Sequence, residues 1–284
     1  MSAAALPVIV TGASSGIGLE TAVGLAREGH RVVATVRDLG RTQPLDDAAA
    51  AAGVELDVRR LDVTDEASVA ELVDGVAAAY GGLHGLVNNA GAAHLGTVEL
   101  DTMEAIRAAF EVNFFGVVAM TRAAMPHLRA SSGVLVTISS VGGIVGQPFN
   151  EAYCGAKFAV EGFMEGLAPV AATVGVRVVV VEPGAVASSF VANAGVDPQA
   201  MIAAAGPYGP AAAGYLARTA GAFANAQSPV DAAAVIVSAV VDPATPFRVQ
   251  TSAVAAGFVG VKLADLDGSA VQALTSSWVA APTA

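Results

Sequence analysis

The chain has 284 residues, 54% of them hydrophobic and 14% charged, with a formal net charge of −11. That length and composition suit one large α/β domain with a full core and exclude a disordered chain. The acidic balance argues against non-specific nucleic-acid binding and against anionic membrane surfaces.

In chain order, residues 1–6 are too short for a signal peptide and carry no basic n-region. Residues 6–10 form a short β-branched run ending in Thr11-Gly12 and predict a buried strand. Residues 16–28 follow with helical spacing and stop at Gly29. Strands are predicted at 31–36, 54–61 and 83–87, with a helix at 67–80 after the third. The last of these strands runs into Asn88-Asn89-Ala90-Gly91. A long helix covers roughly 102–128, a strand 133–139, a helix 151–174 and a strand 176–181. From 188 to 228 Ala, Gly and Pro dominate. That segment is either a disordered insertion or a pair of short helices forming a mobile flap. Tyr208, Tyr215, Leu216 and Phe223 offer apolar anchors and favour the flap. A helix at 231–241 and a strand at 247–251 follow. The tail from 253 has no clear period, and Trp278 suggests that it packs back onto the body.

Strands alternating with helices imply parallel β-α-β units with right-handed crossovers. The expected fold is α/β: a single doubly wound parallel sheet, Rossmann-like, in one domain over 1–284. It should carry a helical substrate flap at 188–228 and a C-terminal extension at 253–284. The most apolar stretches, 175–181 and 232–241, are well short of the roughly 20 residues that span a bilayer. A soluble, cytoplasmic chain without a membrane anchor is expected. One cysteine, Cys154, rules out an internal disulfide and favours a reducing compartment. With no histidine near it in sequence, Cys154 reads as a small buried filler. No metal-ligand set is read.

Thr11-Gly12-Ala13-Ser14-Ser15-Gly16-Ile17-Gly18 lies between a strand and a helix, the context that makes a glycine pattern informative. Gly12 permits the turn, Gly16 lets backbone approach a pyrophosphate, and Gly18 lets the helix pack on the sheet. The helix N-terminus offers its N–H groups to phosphates. An acidic residue ending the second strand would bind a ribose 2′-hydroxyl. Val36 stands there and Arg37 follows, which suits the 2′-phosphate of NADP, with Ser14 or Ser15 adding a hydroxyl. Asp38 leaves NAD open should the strand end one residue later, and Arg37 could equally be a solvated loop residue. Asp62 is placed for the adenine amine or is a turn-capping residue. Asn89, Ala90 and Gly91 are placed to line the cofactor at the carboxyl edge of the sheet.

Tyr153 and Lys157 stand four residues apart on one helix, so their side chains meet. A tyrosine acts as an acid or base near neutrality only if its pKa falls from about 10. Three units correspond to roughly 4 kcal/mol, more than one ammonium supplies, so a second cation such as an oxidised nicotinamide is expected. Tyr153 is then the proton donor in carbonyl reduction and its phenolate the base in alcohol oxidation. Ser140 donates a hydrogen bond to the substrate oxygen. Ser139 competes for that role, since neighbours on a strand face opposite ways. Asn113, in an otherwise apolar helix, either holds a water linking Lys157 to solvent or is a structural amide bonded to backbone. His94 lines the pocket or sits in an exposed loop.

Together, Thr11-Gly12-x-x-x-Gly16-x-Gly18, Asn89-Ala90-Gly91, Asn113, Ser140, Tyr153-x-x-x-Lys157 and Pro183-Gly184 resemble the short-chain dehydrogenase/reductase family, over about two-thirds of the chain. The resemblance selects Ser140 over Ser139. It implies catalytic roles for Asn113, Ser140, Tyr153 and Lys157, with Tyr153 and Lys157 also touching the cofactor. It places Pro183, Gly184, Val186 and Ser188 against the nicotinamide amide, although the family usually has Thr at the Ser188 position. It also implies a homodimer or homotetramer built on the two long helices, where Gly155, Ala159, Gly162 and Gly166 form a small-residue stripe. Val141-Gly142-Gly143, Pro148-Phe149-Asn150, Lys157-Phe158-Ala159 and Ala34-Thr35-Val36-Arg37-Asp38 are similar to the subgroup of type 1 17β-hydroxysteroid dehydrogenase and retinol dehydrogenase 8, which prefers NADP. The steroid enzyme holds its distal hydroxyl with a flap histidine, and this chain has none after His127. A fairly large apolar alcohol or ketone is the expected substrate. A β-ketoacyl-thioester reductase and, more distantly, a non-catalytic dinucleotide sensor are the alternatives.

Overall fold

The computed structural model describes residues 6–190, 195 and 197–279. The flap positions 191–194 and 196 and the tail positions 280–284 lie outside the described residues.

Seven parallel strands form one sheet in the order β3-β2-β1-β4-β5-β6-β7. These are β1 (Val8–Val10), β2 (Val32–Val36), β3 (Asp57–Arg60), β4 (Gly85–Asn88), β5 (Val134–Ile138), β6 (Arg177–Glu182) and β7 (Arg248–Gln250). The chain moves outward one way from β1 to β3, then returns to start β4 on the other side of β1. Such a reversal leaves a crevice between the carboxyl ends of β1 and β4.

The sheet is sandwiched, which is why its central strands are apolar without alternation. Val8 and Val10 of β1 join one core with Leu19, Leu25 and Ile236. Ile9 points the other way, into a core with Leu72, Met120, Leu128 and Met164. Each fully buried Val, Leu or Ile of this kind contributes about 1.5–3 kcal/mol. The first core is roofed by α1 (Gly16–Arg27) and α9 (Pro229–Val241), the second by α3 (Glu66–Tyr80), α5 (Gly116–Ser131) and α6 (Glu151–Ala172).

Several elements depart from expectation. A helix α2 (Gln43–Ala52) fills the interval between the second and third strands. Its five-alanine run hides the periodicity; only Leu45 and Ala49 are buried. The long helix is continuous but interrupted: α4 (Met103–Phe110), a π-turn (Glu111–Phe115), then α5. The flap holds α7 (Pro198–Ala204) and α8 (Gly209–Ala224). The aperiodic tail is also helical, with α10 (Ala253–Leu263) and α11 (Ser269–Ser276). Flap and tail share a separate apolar cluster of Phe149, Ala205, Ala212, Tyr215 and Trp278, so Trp278 does pack back onto the body.

Candidate active site

The crevice is built first from backbone. Gly12 and Gly16 take left-handed conformations, with φ of 69° and 58°, which glycine adopts without steric cost. A Cβ on Gly12 would stand 2.9 Å from Ala90 Cα, and one on Gly18 would stand 2.4 Å from Gly12 O. Thr11 Oγ1 accepts from the N–H groups of Asn89 and Ala90, both at 2.9 Å. Asn89 Nδ2 donates to Thr11 O at 2.8 Å and Gly12 O at 3.1 Å. Asn89 therefore fastens the glycine turn to β4. Thr11 is the clamp that motif reading passed over, although a hydroxyl ending a buried strand was its signal.

Ser15, the N-cap of α1, makes no side-chain cap, and the first turn holds no acidic residue. The leading N–H groups and the helix dipole thus favour an anion. Ser14, Ser15 and Ile17 lie partly exposed on this turn. The segment after β6 closes over it: Ser188 Cβ is 3.1 Å from where a Gly16 Cβ would be, and the Ser15 and Ser189 hydroxyls are 3.2 Å apart. Pro183 O accepts from Val141 N at 3.0 Å. Gly184 lies against Ala255, and Val186 is buried, bridging to Gln227. A cradle that any Cβ would fill, ending at an uncapped helix, fits a dinucleotide pyrophosphate.

Arg37 is exposed at the end of β2. Asp38 Oδ1 is engaged locally, accepting from Gly40 N at 2.9 Å. Asp62 Oδ1 accepts from Thr64 N at 3.0 Å and Thr64 Oγ1 at 2.7 Å. Those bonds, aided by the charges of Arg37 and Arg60, hold its carboxyl below the usual range against some burial.

The second half of the site stands on α6. Lys157 is 3% exposed, with Nζ donating to Ile138 O at 3.0 Å and lying 5.9 Å from the Tyr153 ring centre. The Tyr153 hydroxyl hydrogen-bonds Ser140, and Ser140 Oγ also accepts from Gly142 N at 3.0 Å. Ser139 is turned away: a Cβ on Gly143 would stand 2.5 Å from its Oγ, on the side of Glu161. The Asn113 side chain is buried in the π-turn. Its Nδ2 donates to Ala92 O and Ala109 O, both at 2.9 Å, and Oδ1 accepts from Ala92 N at 3.2 Å. Those are the bonds of a structural amide. Gly91 passes close beside it: a Cβ there would be 3.0 Å from Asn113 Oδ1 and 3.8 Å from Lys157 Nζ.

Burial dominates the electrostatics. Although part of Tyr153 faces the cleft, dense packing pushes its hydroxyl above the ordinary tyrosine range, with the Ser140 bond opposing. Burial also pushes Lys157 down to about 8, with the Glu161 charge opposing. The protein alone therefore does not draw Tyr153 toward neutrality, because removing both groups from water penalises each charge. Cys154 is pushed up to about 11 by burial, as a packed filler should be.

The flap meets this site through side chains. Asn150 Nδ2 donates to the Tyr215 hydroxyl. The preceding Phe149 is buried at φ 56°, a strained setting for a bulky residue, with its ring 5.6 Å from that of Tyr215. Phe190 meets Tyr153 edge-on at 6.0 Å. His94 is partly buried rather than solvent-loose, its Nε2 2.9 Å from Asp101 Oδ2.

A glycine cradle at the β1/β4 crevice, with a Tyr–Lys pair on α6 and a serine after β5, defines a short-chain dehydrogenase. The model for the short chain dehydrogenase family matches residues 7–199, and the chain belongs to that family. It is accordingly an NAD(P)-dependent oxidoreductase acting on alcohol and carbonyl groups. It is 38% identical over 285 residues to retinol dehydrogenase 8 of Bos taurus, covering 95% of this chain and 88% of that one. It is 42% identical over 190 residues to estradiol 17-beta-dehydrogenase 1 of Rattus norvegicus, covering 64% and 55%. A crystal structure of a short-chain dehydrogenase from Streptomyces avermitilis superimposes with a TM-score of 0.76 at 33% identity, covering 98% and 97%. Among the described residues, no helix is long and apolar enough to cross a membrane.

Proposed function

We propose that this enzyme interconverts a fairly large apolar ketone or aldehyde and its alcohol, with NADP(H) as the preferred cofactor. The observation that carries this is the Ser140–Tyr153–Lys157 set under an apolar flap. Phe190 meets the Tyr153 ring edge-on, and Phe149, Leu95, Met201, Ile202 and Trp278 form an apolar cluster tied to the start of α6 by Asn150 and Tyr215. The names of the relatives, a retinol and an estradiol dehydrogenase, support an apolar alcohol. The absence of a histidine after His127 separates this pocket from a steroid-selective one.

The dinucleotide, when bound, supplies the hydride and, oxidised, a positive charge. Tyr153 gives its proton to the forming alkoxide in reduction and receives it in oxidation. Ser140 holds the same oxygen as charge develops. Lys157 stabilises the phenolate and anchors the cofactor ribose. Asn113 fixes the Ala92 backbone near Lys157, where a water would link Lys157 to solvent. Gly12, Ser14, Ser15, Gly16, Ile17 and Gly18 hold the pyrophosphate. Asn89, Ala90 and Gly91 line the crevice, Asp62 the adenine, and Pro183, Gly184, Val186 and Ser188 the nicotinamide. Arg37 reads a 2′-phosphate, since Asp38 is spent on its own turn.

We also infer a homo-oligomer in the cytoplasm. Phe115, Phe158, Phe163 and Val170 are exposed on the α5–α6 face, where Gly162 and Gly166 open onto free space. Small residues there admit the close approach of a second copy.

The test is a panel of long-chain and ring ketones, short ketones and a β-ketoacyl thioester, each assayed with NADPH and NADH. Turnover of the large apolar carbonyls with NADPH is expected. Preference for NADH removes the role of Arg37, and preference for the thioester replaces the substrate class.

A further inference from the structure

The polar row on α6 does not stop at Lys157. One turn further stands Glu161, 4% exposed, and after it Glu165 on the surface. A carboxylate taken into a core costs several kcal/mol unless it is paired. Its partner is Arg248 of β7, whose Nη2 lies 3.1 Å and Nε 3.3 Å from Glu161 Oε2. The same Nη2 reaches Glu165 Oε2 at 3.0 Å. Arg248 Nε also stands 2.7 Å from Oε1 of Glu182, the fully buried last residue of β6. Glu182 Oε2 accepts from Gln250 Nε2 at 2.9 Å.

Two buried carboxylates thus share one guanidinium; burial first, then the Glu161 charge, raises Glu182 above the ordinary carboxylate range, with the Gln250 bond opposing. Among the described residues, Glu161 Oε1 and Ser139 Oγ are buried without a hydrogen-bond partner. Packing alone does not ask for this arrangement, since well-packed apolar residues replace buried ion pairs at little cost. What it does place is negative charge one helical turn from Lys157, the buried ammonium that, among the described residues, donates to one backbone carbonyl.

We propose that Glu161 is a positioning residue for the reaction: its carboxylate, held by Arg248 and Glu182, keeps Lys157 charged inside the core. This rests on the reading of Tyr153 and Lys157 as the reacting pair. The groups around Lys157 and Glu161 are Tyr153 and Glu165 on α6, Ser139 just after β5, Glu182 on β6, and Arg248 and Gln250 on β7. The protonated Tyr–Lys pair carries one more positive charge than the singly deprotonated pair. A nearby carboxylate favours the protonated form whichever atom yields the proton. Burial lowers Lys157 and Glu161 opposes it, so neutralising Glu161 makes the pair lose its proton at lower pH.

The experiment is the pH profile of kcat/KM for carbonyl reduction by the full-length enzyme. In Glu161→Gln the alkaline limb should move toward acid by about one unit, with dinucleotide affinity within about twofold of the parent. Glu161→Asp, which keeps the charge and alters the packing, should hold the limb in place. Glu165→Gln, at the exposed end of the fork, should do the same. Loss of rate in Glu161→Gln with an unmoved limb reduces the cluster to a structural one and overturns the proposal. Should Glu161→Gln fail to fold, Glu161→Asp decides: a limb shifted as far as the loss of charge predicts overturns it. Turnover that survives both Tyr153→Phe and Lys157→Ala removes instead the reading on which the proposal rests.

Discussion

The cofactor cradle and the flap-and-tail cover face each other across one cleft, yet they are held by different forces. The cradle is backbone against backbone: Gly12 on Ala90, Asn89 on the Thr11 and Gly12 carbonyls, Thr11 on two N–H groups. The cover is side chain against side chain: Phe149, Tyr215, Trp278 and Phe258, with one polar latch from Asn150. Directional bonds admit one arrangement, whereas volume filling admits many of similar energy. The cradle should therefore be rigid and intolerant. The cover should open at lower free energy, as a substrate gate must.

The largest effect is expected where the regions meet. Tyr153→Phe removes the proton donor and leaves the cradle untouched. kcat should fall about 10²–10⁴-fold while dinucleotide affinity by titration stays within about twofold. Unchanged turnover would remove Tyr153 from the reaction.

Next comes the cradle. In Gly18→Ala the new Cβ meets Asn89 Nδ2 at 2.3 Å and Gly12 O at 2.4 Å. Overpacking of this kind costs about 1–3 kcal/mol, and here it displaces the turn that receives the phosphates. Dinucleotide affinity should fall about 10-fold or more. A variant that binds as well as the parent shows a cradle softer than its hydrogen bonds imply.

The same contrast decides what the sequence disclosed. Gly12, Gly16, Gly18, Tyr153 and Lys157 were legible because each answers a local demand: a left-handed turn, a close approach, two side chains one helical turn apart. The sheet was legible because its central strands are buried on both faces and apolar. The alanine-rich α2 was not, since only Leu45 and Ala49 are buried in it. Nor were α10, whose apolar residues are spread around the helix, and α11, which spans only about two turns. Asn150–Tyr215 and Glu161–Arg248 join residues 65 and 87 apart in the chain, and no local period records such a pairing. Glu182 at the end of an otherwise apolar strand was the visible hint of the second. The expected fall of the Tyr153 pKa rests on Lys157 and a second cation from the cofactor together; burial in the protein alone opposes it.

The latch in the cover gives a smaller effect. Tyr215→Phe leaves the Asn150 amide short of its acceptor in a partly buried setting, worth about 1–3 kcal/mol at most. KM for the apolar substrate should rise several-fold with dinucleotide affinity unchanged. A change in dinucleotide affinity instead would show that the latch reaches through α6 into the cradle.

The smallest effect tests whether the two regions are separate units at all. Arg218 of α8 stacks its guanidinium 4.0 Å from the ring centre of Trp278, and Trp278, the chain's single tryptophan, is buried against Phe258. A cation over an aromatic face at an exposed site is worth about 0.5–1 kcal/mol, part of it from the arginine stem covering the ring. Arg218→Ala should therefore shift the urea midpoint seen by tryptophan emission. The midpoint seen by far-UV circular dichroism, which reports sheet and helices, should stay in place. Tryptophan emission then moves to longer wavelength before the sheet melts, because the tail undocks first. Midpoints that move together by the same amount mean that cover and cradle unfold as one cooperative body, and the softness of the cover would have to be sought within α7 and α8 alone.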